Sequence, residues 1–158
     1  PLTSSMGRLF DAAAAIAGIR QTVSYEAQAA IELEALAEPG ERGYYPLQLS
    51  GELLDPAPML RAMVADLRVG VSLPIVSARF HNGIAEAVGM VCQALRSQHR
   101  LETVVLSGGV WQNMYLLRRA ASRLEQDGFE VLVHRQVPAN DGGLALGQAL
   151  IAAAQPQE

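Results

Sequence analysis

The sequence predicts an α/β fold, and three observations predict it. A β-branched apolar run over 103–107 ends in Ser107-Gly108-Gly109 and passes at once into a helical pattern. Phe129-Glu-Val-Leu-Val133 is a second strand of the same kind, and a second glycine pair, Gly142-Gly143, opens the last helix. The order strand, helix, strand, helix implies a parallel pair joined by a right-handed crossover.

The elements follow in order. Leu9, Phe10, Ala13, Ile16 and Ala17 recur at helical spacing ahead of Gly18, predicting a helix over 6–18 with a glycine stop. Ala29, Ala30, Leu33 and Leu36 share a face, predicting a helix over 25–36 that begins near Glu26 and ends before Pro39-Gly40. Residues 44–54 alternate and break at Ser50-Gly51, as a hairpin or bent strand pair does. Asp55-Pro56 opens a helix to about Val69, with proline in its first turn. A longer helix over 75–98 carries the apolar stripe Phe80, Ile84, Val88, Val91 and Leu95. Strand 103–107, a helix over 111–126 stopped by Gly128, strand 129–133 and a helix over 142–154 complete the chain. There is no internal repeat, linker or low-complexity tract.

The 158 residues suit one domain, which at this size buries roughly 70% of its unfolded surface. Half the residues are hydrophobic, enough for a core without staples. Cys92 is the single cysteine, which excludes an internal disulfide framework and fits a reducing, cytoplasmic setting. No run approaches the ~18–20 apolar residues of a membrane span. The opening Pro1-Leu-Thr-Ser-Ser-Met6 has neither the basic nor the apolar region of a signal peptide. It also lacks an initial methionine, so the chain reads as cut from something longer. A net charge of −4 argues against broad binding of nucleic acid, and 5% aromatics are too few for a base-stacking platform.

The strand–glycine–helix junction at Ser107-Gly108-Gly109 is the strongest chemical signal. Open backbone N–H groups and the positive end of a helix dipole favour an anion there, and glycine lets it approach closely. The alternative is a tight turn without a ligand. The junction lacks a P-loop lysine and the spacing of a dinucleotide fingerprint. Asn113 lies in the first helical turn, where its amide reaches either a ligand or the local backbone. Asp141 is either a helix cap or a ligand for a hard cation, the cap being favoured by spacing and the cation by the two glycines behind it. Asp11, Glu26, Glu32 and Glu34 read by default as solvated helix faces. His81, His99 and His134 make no metal spacing. Ser107 has no evident His and Asp partners, and Cys92 belongs with the buried stripe of its helix.

Five segments together resemble one family: Ser4-Ser-Met-Gly-Arg-Leu-Phe-Asp11, the stretch 24–34 beginning Ser24-Tyr-Glu-Ala-Gln28, Ser77-Ala-Arg-Phe-His-Asn82, Leu106-Ser-Gly-Gly-Val-Trp-Gln-Asn113, and 134–148 with Asn140-Asp-Gly-Gly143. They are similar, in register over essentially the whole chain, to the C-terminal end of the HypF carbamoyltransferases, which mature nickel–iron hydrogenases. That family's last domain is similar to TsaD-type enzymes of the actin-like ATPase (ASKHA, RNase H-like) superfamily. The resemblance therefore implies one lobe of such a domain, a small mixed sheet flanked by helices, spanning residues 1–158.

The resemblance also implies chemistry. The family makes carbamoyl-adenylate from carbamoyl phosphate and ATP and passes the carbamoyl group to the C-terminal cysteine of a HypE-type acceptor. By resemblance Asp11 is the ribose-binding acid, with Gly7 before it and Glu26 in the second motif. Gly108 and Gly109 form the phosphate-side turn, Asn113 contacts the nucleotide, and Asp141 is a ligand of a divalent metal. Catalytic residues are not identifiable. Three departures stand out. Ala27 occupies a position usually glycine, the metal-binding histidine pair belongs to an absent N-terminal lobe, and the YrdC-like adenylating domain is absent too. The chain alone is expected to be inactive, and a face left apolar by the missing lobe is expected to promote self-association. The alternatives are a non-catalytic nucleotide-binding or interaction module, or a lobe of an ASKHA sugar kinase.

Overall fold

In the computed structural model, which describes residues 3–154, six helices surround two small sheets. The order is α1 Met6–Ile16, α2 Gln28–Leu36, β1 Gln48–Ser50, β2 Leu53–Asp55, α3 Ala57–Arg68, α4 Leu73–His99, β3 Thr103–Leu106, α5 Met114–Gln126, β4 Glu130–Val133 and α6 Leu144–Ala154. The α/β composition is as expected. Its strands are divided rather than joined in one mixed sheet. β1 and β2 form an antiparallel hairpin around Gly51, and β3 and β4 form a parallel pair running from Thr103 opposite Glu130 to Leu106 opposite Val133.

α4 is the axis. From Val76 to Gly89 it is buried on nearly every side, because residues of α1, α2, α3, α5 and the segment Tyr45–Leu47 close around it. Its enclosed part also buries the polar Ser77, His81 and Asn82, which find hydrogen-bond partners there. The expected stripe holds at Phe80 and Ile84 and fails at Leu95, which is 42% exposed. Past Gly89 the helix leaves the main core and lies over the smaller cluster of Leu106, Leu124 and Phe129, against which Val88 and Cys92 pack. Burial there pushes the Cys92 thiol pKa up, as a core cysteine requires.

Polar clamps tie the loop after α2 to this axis. Asn82 donates to the carbonyls of Glu41 (3.2 Å) and Gly43 (2.9 Å). The Tyr45 hydroxyl and Arg79 both donate to Asp66, at 2.8 and 2.7 Å. These donors, the Tyr45 hydroxyl foremost, hold the Asp66 carboxyl below the ordinary range.

α2 begins at Gln28, three residues later than the periodicity predicts, so Glu26 lies outside the helix rather than starting it. The cause is Ala27, whose φ of 62° is left-handed and interrupts the helix. A Cβ in that region costs about 1 kcal/mol or more. Ala27 is exposed, so its methyl crowds nothing in this chain. Ala27→Gly is therefore expected to stabilise the chain by about 1 kcal/mol, raising Tm by roughly 2–4 °C. A thermal melt checks this; an unchanged or lower Tm counts against the strain.

Candidate functional site

The two glycine bends lie side by side. Beyond β3 the chain turns at Gly108, whose φ of 107° only glycine adopts without strain. The Gly108 N–H donates to the carbonyl of Ala139 at 2.7 Å, tying the first bend to the second. A Cβ on Gly109 would stand 3.9 Å from the Asn140 side chain, and one on Gly143 only 2.7 Å from the Pro138 carbonyl. The second bend is thus folded tightly on itself and uses its own amides: Gly142 donates to the Asn140 side chain (3.1 Å) and Gly143 to the Asn140 carbonyl (3.0 Å). In the first bend the amides of Gly109 and Val110 donate to no group among the described residues. The open donors therefore belong to one bend, not to both.

Asn140, rather than Asp141, caps the second bend. The Asp141 carboxylate is left exposed beside it. Asn113 also differs from its expected place. The helix predicted over 111–126 begins at Met114, because residues 109–112 wind as a tighter 3-10 turn. Asn113 is its cap, and its Oδ1 accepts from the Leu116 N–H at 2.8 Å.

The other half of the Asn113 amide is held by His81, which is completely buried. His81 Nδ1 lies 2.8 Å from the Ser77 carbonyl, which only accepts, so Nδ1 carries the proton. Nε2 is then an acceptor, and Asn113 Nδ2 donates to it at 2.9 Å. Burial pushes the His81 pKa down to about 4, so the ring is neutral at pH 7. One Nδ2 hydrogen of Asn113 has no partner among the described residues.

His81 also links this corner to α1. Phe10 meets the imidazole edge-on, with ring centroids 5.4 Å apart, and Asp11 follows Phe10 directly. Gly7 and Asp11, four residues apart, share the outer face of α1, where Arg8 pairs with Asp11 at 3.0 Å. With Arg8 63% exposed, that pair contributes little and yields readily to a competing partner. Glu26 is exposed on the loop before α2. α1 and the first glycine bend are thus joined through Phe10, His81 and Asn113, while Glu26 and Asp141 stand on open surface to either side.

The chain matches the family described as carbamoyltransferase, Kae1-like domain, second subdomain, over residues 1–148. It belongs to that family. It is 42% identical to carbamoyltransferase HypF of Rhodobacter capsulatus over 98% of this chain and 20% of the relative. It is 39% identical to carbamoyltransferase HypF of Synechocystis sp. over 95% of this chain and 19% of the relative. A crystal structure of full-length HypF in a phosphate- and nucleotide-bound form matches with a TM-score of 0.90 at 43% identity, covering 94% of this chain and 20% of that one. The chain spans about one fifth of the length of these relatives.

Within this Kae1-like subdomain two hydrogen bonds near the candidate residues escape sequence reasoning. Glu34 Oε1 accepts from the Tyr115 N–H at 3.1 Å, so this acid of α2 caps α5 instead of lying on a solvated face. Ser107 has a histidine partner after all: His134 Nε2 lies 2.9 Å from its hydroxyl oxygen. Strand pairing brings together residues 27 apart in sequence, and no local spacing signals it. A groove of about 620 Å³ between α2 and α5, lined by Ile31, Met114, Tyr115 and Arg118, contains none of the candidate residues. Of those residues Gly7, Glu26, Gly109 and Asp141 are exposed, and Asp11, Gly108 and Asn113 are half-buried. No helix among the described residues is long and apolar enough to cross a membrane. No group of three or more His, Cys, Asp or Glu able to hold a metal occurs among them either.

Proposed function

We propose that this chain is the nucleotide-holding, carbamoyl-adenylate-holding part of a HypF-type carbamoyltransferase of hydrogenase maturation. The observation that carries the proposal is the pair of open amides at Gly109 and Val110, joined through Asn113 and His81 to α1 at Phe10, the residue next to Asp11. An ionised carboxylate such as Asp11 is a strong acceptor for two ribose hydroxyls. Open glycine amides offset phosphate charge, and Asn113 beside them keeps one Nδ2 hydrogen without a partner among the described residues. The bound phosphate and nucleotide of the solved relative support this assignment.

The transfer forms a bond between the acceptor's cysteine sulfur and the carbamoyl carbon and breaks that carbon's bond to the phosphate oxygen, releasing AMP and the thiol proton. The acceptor is a HypE-type protein. A divalent metal, one of whose ligands would be Asp141, supplies Lewis acidity toward the oxygens of the transferred group. The other metal ligands, the first lobe and the YrdC-like adenylating domain lie outside this chain. The chain alone therefore binds nucleotide without turnover, in the cytoplasm, with no need of nucleic acid. The exposed apolar side chains of α6 (Leu144, Leu146, Leu150 and Ile151) would promote its self-association.

Calorimetry tests the proposal. ATP is expected to bind, and Asp11→Ala to weaken it roughly tenfold to a hundredfold, the worth of a charged hydrogen-bonding pair. Absence of heat with ATP, ADP and a carbamoyl-adenylate analogue would favour a pure interaction module. Phosphorylation of a sugar would favour a kinase lobe.

A further inference from the structure

His81 is fully buried, and no step of the transfer proposed above uses it. Its ring stands edge-on to Phe10 of α1, Phe80 of α4 and Tyr115 of α5, at centroid distances of 5.4, 5.7 and 5.3 Å. The Ser77 carbonyl takes the Nδ1 proton at 2.8 Å, and the Ser77 hydroxyl donates to the Leu33 carbonyl of α2 at 2.5 Å. Nε2 is left as an acceptor facing Asn113 Nδ2. Turning the Asn113 carboxamide over would set Oδ1 against Nε2, two acceptors, and Nδ2 against the Leu116 N–H, two donors. Its orientation is thus fixed from both ends.

Capping α5 does not require this arrangement. Oδ1 alone makes the cap, and serine or aspartate would cap as well with no NH2 group to satisfy. An apolar ring could then fill a corner already lined by Phe10 and Phe80, without the cost of burying a polar one. What the pair adds beyond folding is an NH2 group held in one place, with one hydrogen unpartnered among the described residues. Asn113 also closes the turn that carries the open amides, its N–H donating to the Val110 carbonyl at 3.2 Å.

We infer that His81 is a positioning residue for nucleotide binding, which acts by locking the Asn113 carboxamide so that an N–H donor is presented to the ligand held at Gly109 and Val110. The inference rests on the nucleotide reading proposed above and adds the residue that orients its side-chain donor.

Titration calorimetry of the 158-residue chain with ATP separates this role from packing. His81→Gln carries its amide oxygen at the depth of Nε2, whereas His81→Asn carries its amide nitrogen only at the depth of Nδ1. Both remove the packed ring, so both are expected to melt below the parent. ATP affinity is expected to stay within about twofold of the parent in His81→Gln and to fall about fivefold to tenfold in His81→Asn, the worth of one hydrogen bond. Asn113→Ser keeps the cap, removes the NH2 group and is expected to weaken ATP at least as much. Adding His81→Asn to it is expected to cost no further affinity, since the two act as a unit. In the parent, nitrogen-15 NMR is expected to show the Nδ1–H tautomer, with a coupling across the hydrogen bond from Asn113 Nδ2 to His81 Nε2. The tautomer and Asn113→Ser still decide the matter if neither His81 variant folds. An Nε2–H tautomer, parent-like ATP affinity in His81→Asn or Asn113→Ser, or equal losses in His81→Gln and His81→Asn would each overturn the inference and leave the nucleotide reading standing. Failure of the parent chain to bind ATP would instead overturn the nucleotide reading, and this role with it.

Discussion

Replacing Gly83 by alanine is expected to destabilise the chain by roughly 3 kcal/mol or more, the upper range for forcing a methyl into a packed core. Gly83 lies where α4 passes the segment after α2. A Cβ there would stand 2.1 Å from the Tyr45 carbonyl oxygen and 2.7 Å from the Met59 methyl. The methionine can shift, but the backbone cannot. The Tyr45 N–H donates to the Arg79 carbonyl at 3.1 Å, its hydroxyl donates to Asp66, and Asn82 holds Gly43 two residues before it. Moving Tyr45 breaks all three. The matching control is Gly147→Ala on α6, where a Cβ meets nothing within 4 Å. Thermal melts are expected to show a fall of roughly 10 °C for Gly83→Ala and none for Gly147→Ala. Equal melting temperatures would mean that α4 and Tyr45 are not in contact.

Between pH 6.5 and 4 the chain is expected to lose about 3 kcal/mol of stability through His81 alone. Its pKa is pushed down to about 4 in the fold by burial, against 6.5 for the free side chain. The unfolded chain therefore binds the proton first. The contribution is complete above pH 6.5 and is lost as pH falls toward 4. The paired carboxylates Asp66, Glu41 and Asp127 are held below their ordinary range, so their losses come at lower pH. His81→Phe is expected to flatten the pH 4–6.5 window. It also lowers stability at pH 7, because the Ser77 carbonyl loses its side-chain donor and the Asn113 amide loses its acceptor. Urea titrations at several pH values check both. A parent profile flat from pH 7 to 4.5 would contradict a buried neutral imidazole.

The sequence pattern located most elements because the apolar periods are local. Gly18 and Gly128 sit at positive φ where helices stop, and the parallel pair of β3 and β4 is as the strand–helix–strand order implies. What escaped depends on contacts distant in sequence. The burial of α4 around Val76–Gly89 comes from four other helices and the Tyr45–Leu47 segment, so its periodicity resembles that of a half-exposed helix. The late start of α2 comes from one left-handed alanine, which no pattern of apolar residues reveals. At the site, both glycine bends were legible as bends. Their adjacency, the Asn140 cap and the roles of Glu34, His81 and His134 were not, since each pairs residues on separate elements or chooses between two neighbouring caps. A single histidine in Arg-Phe-His-Asn carries no local mark of being the hinge between α1 and Asn113.

The most direct measurement is an amide NMR titration of the chain with ATP. The signals of Gly108, Gly109, Val110 and the Asn113 side chain, together with Gly7 and Asp11 on α1, are expected to shift together along one binding curve. Shifts confined to the groove between α2 and α5, at Ile31, Met114 and Arg118, with the glycine bend silent, would contradict it.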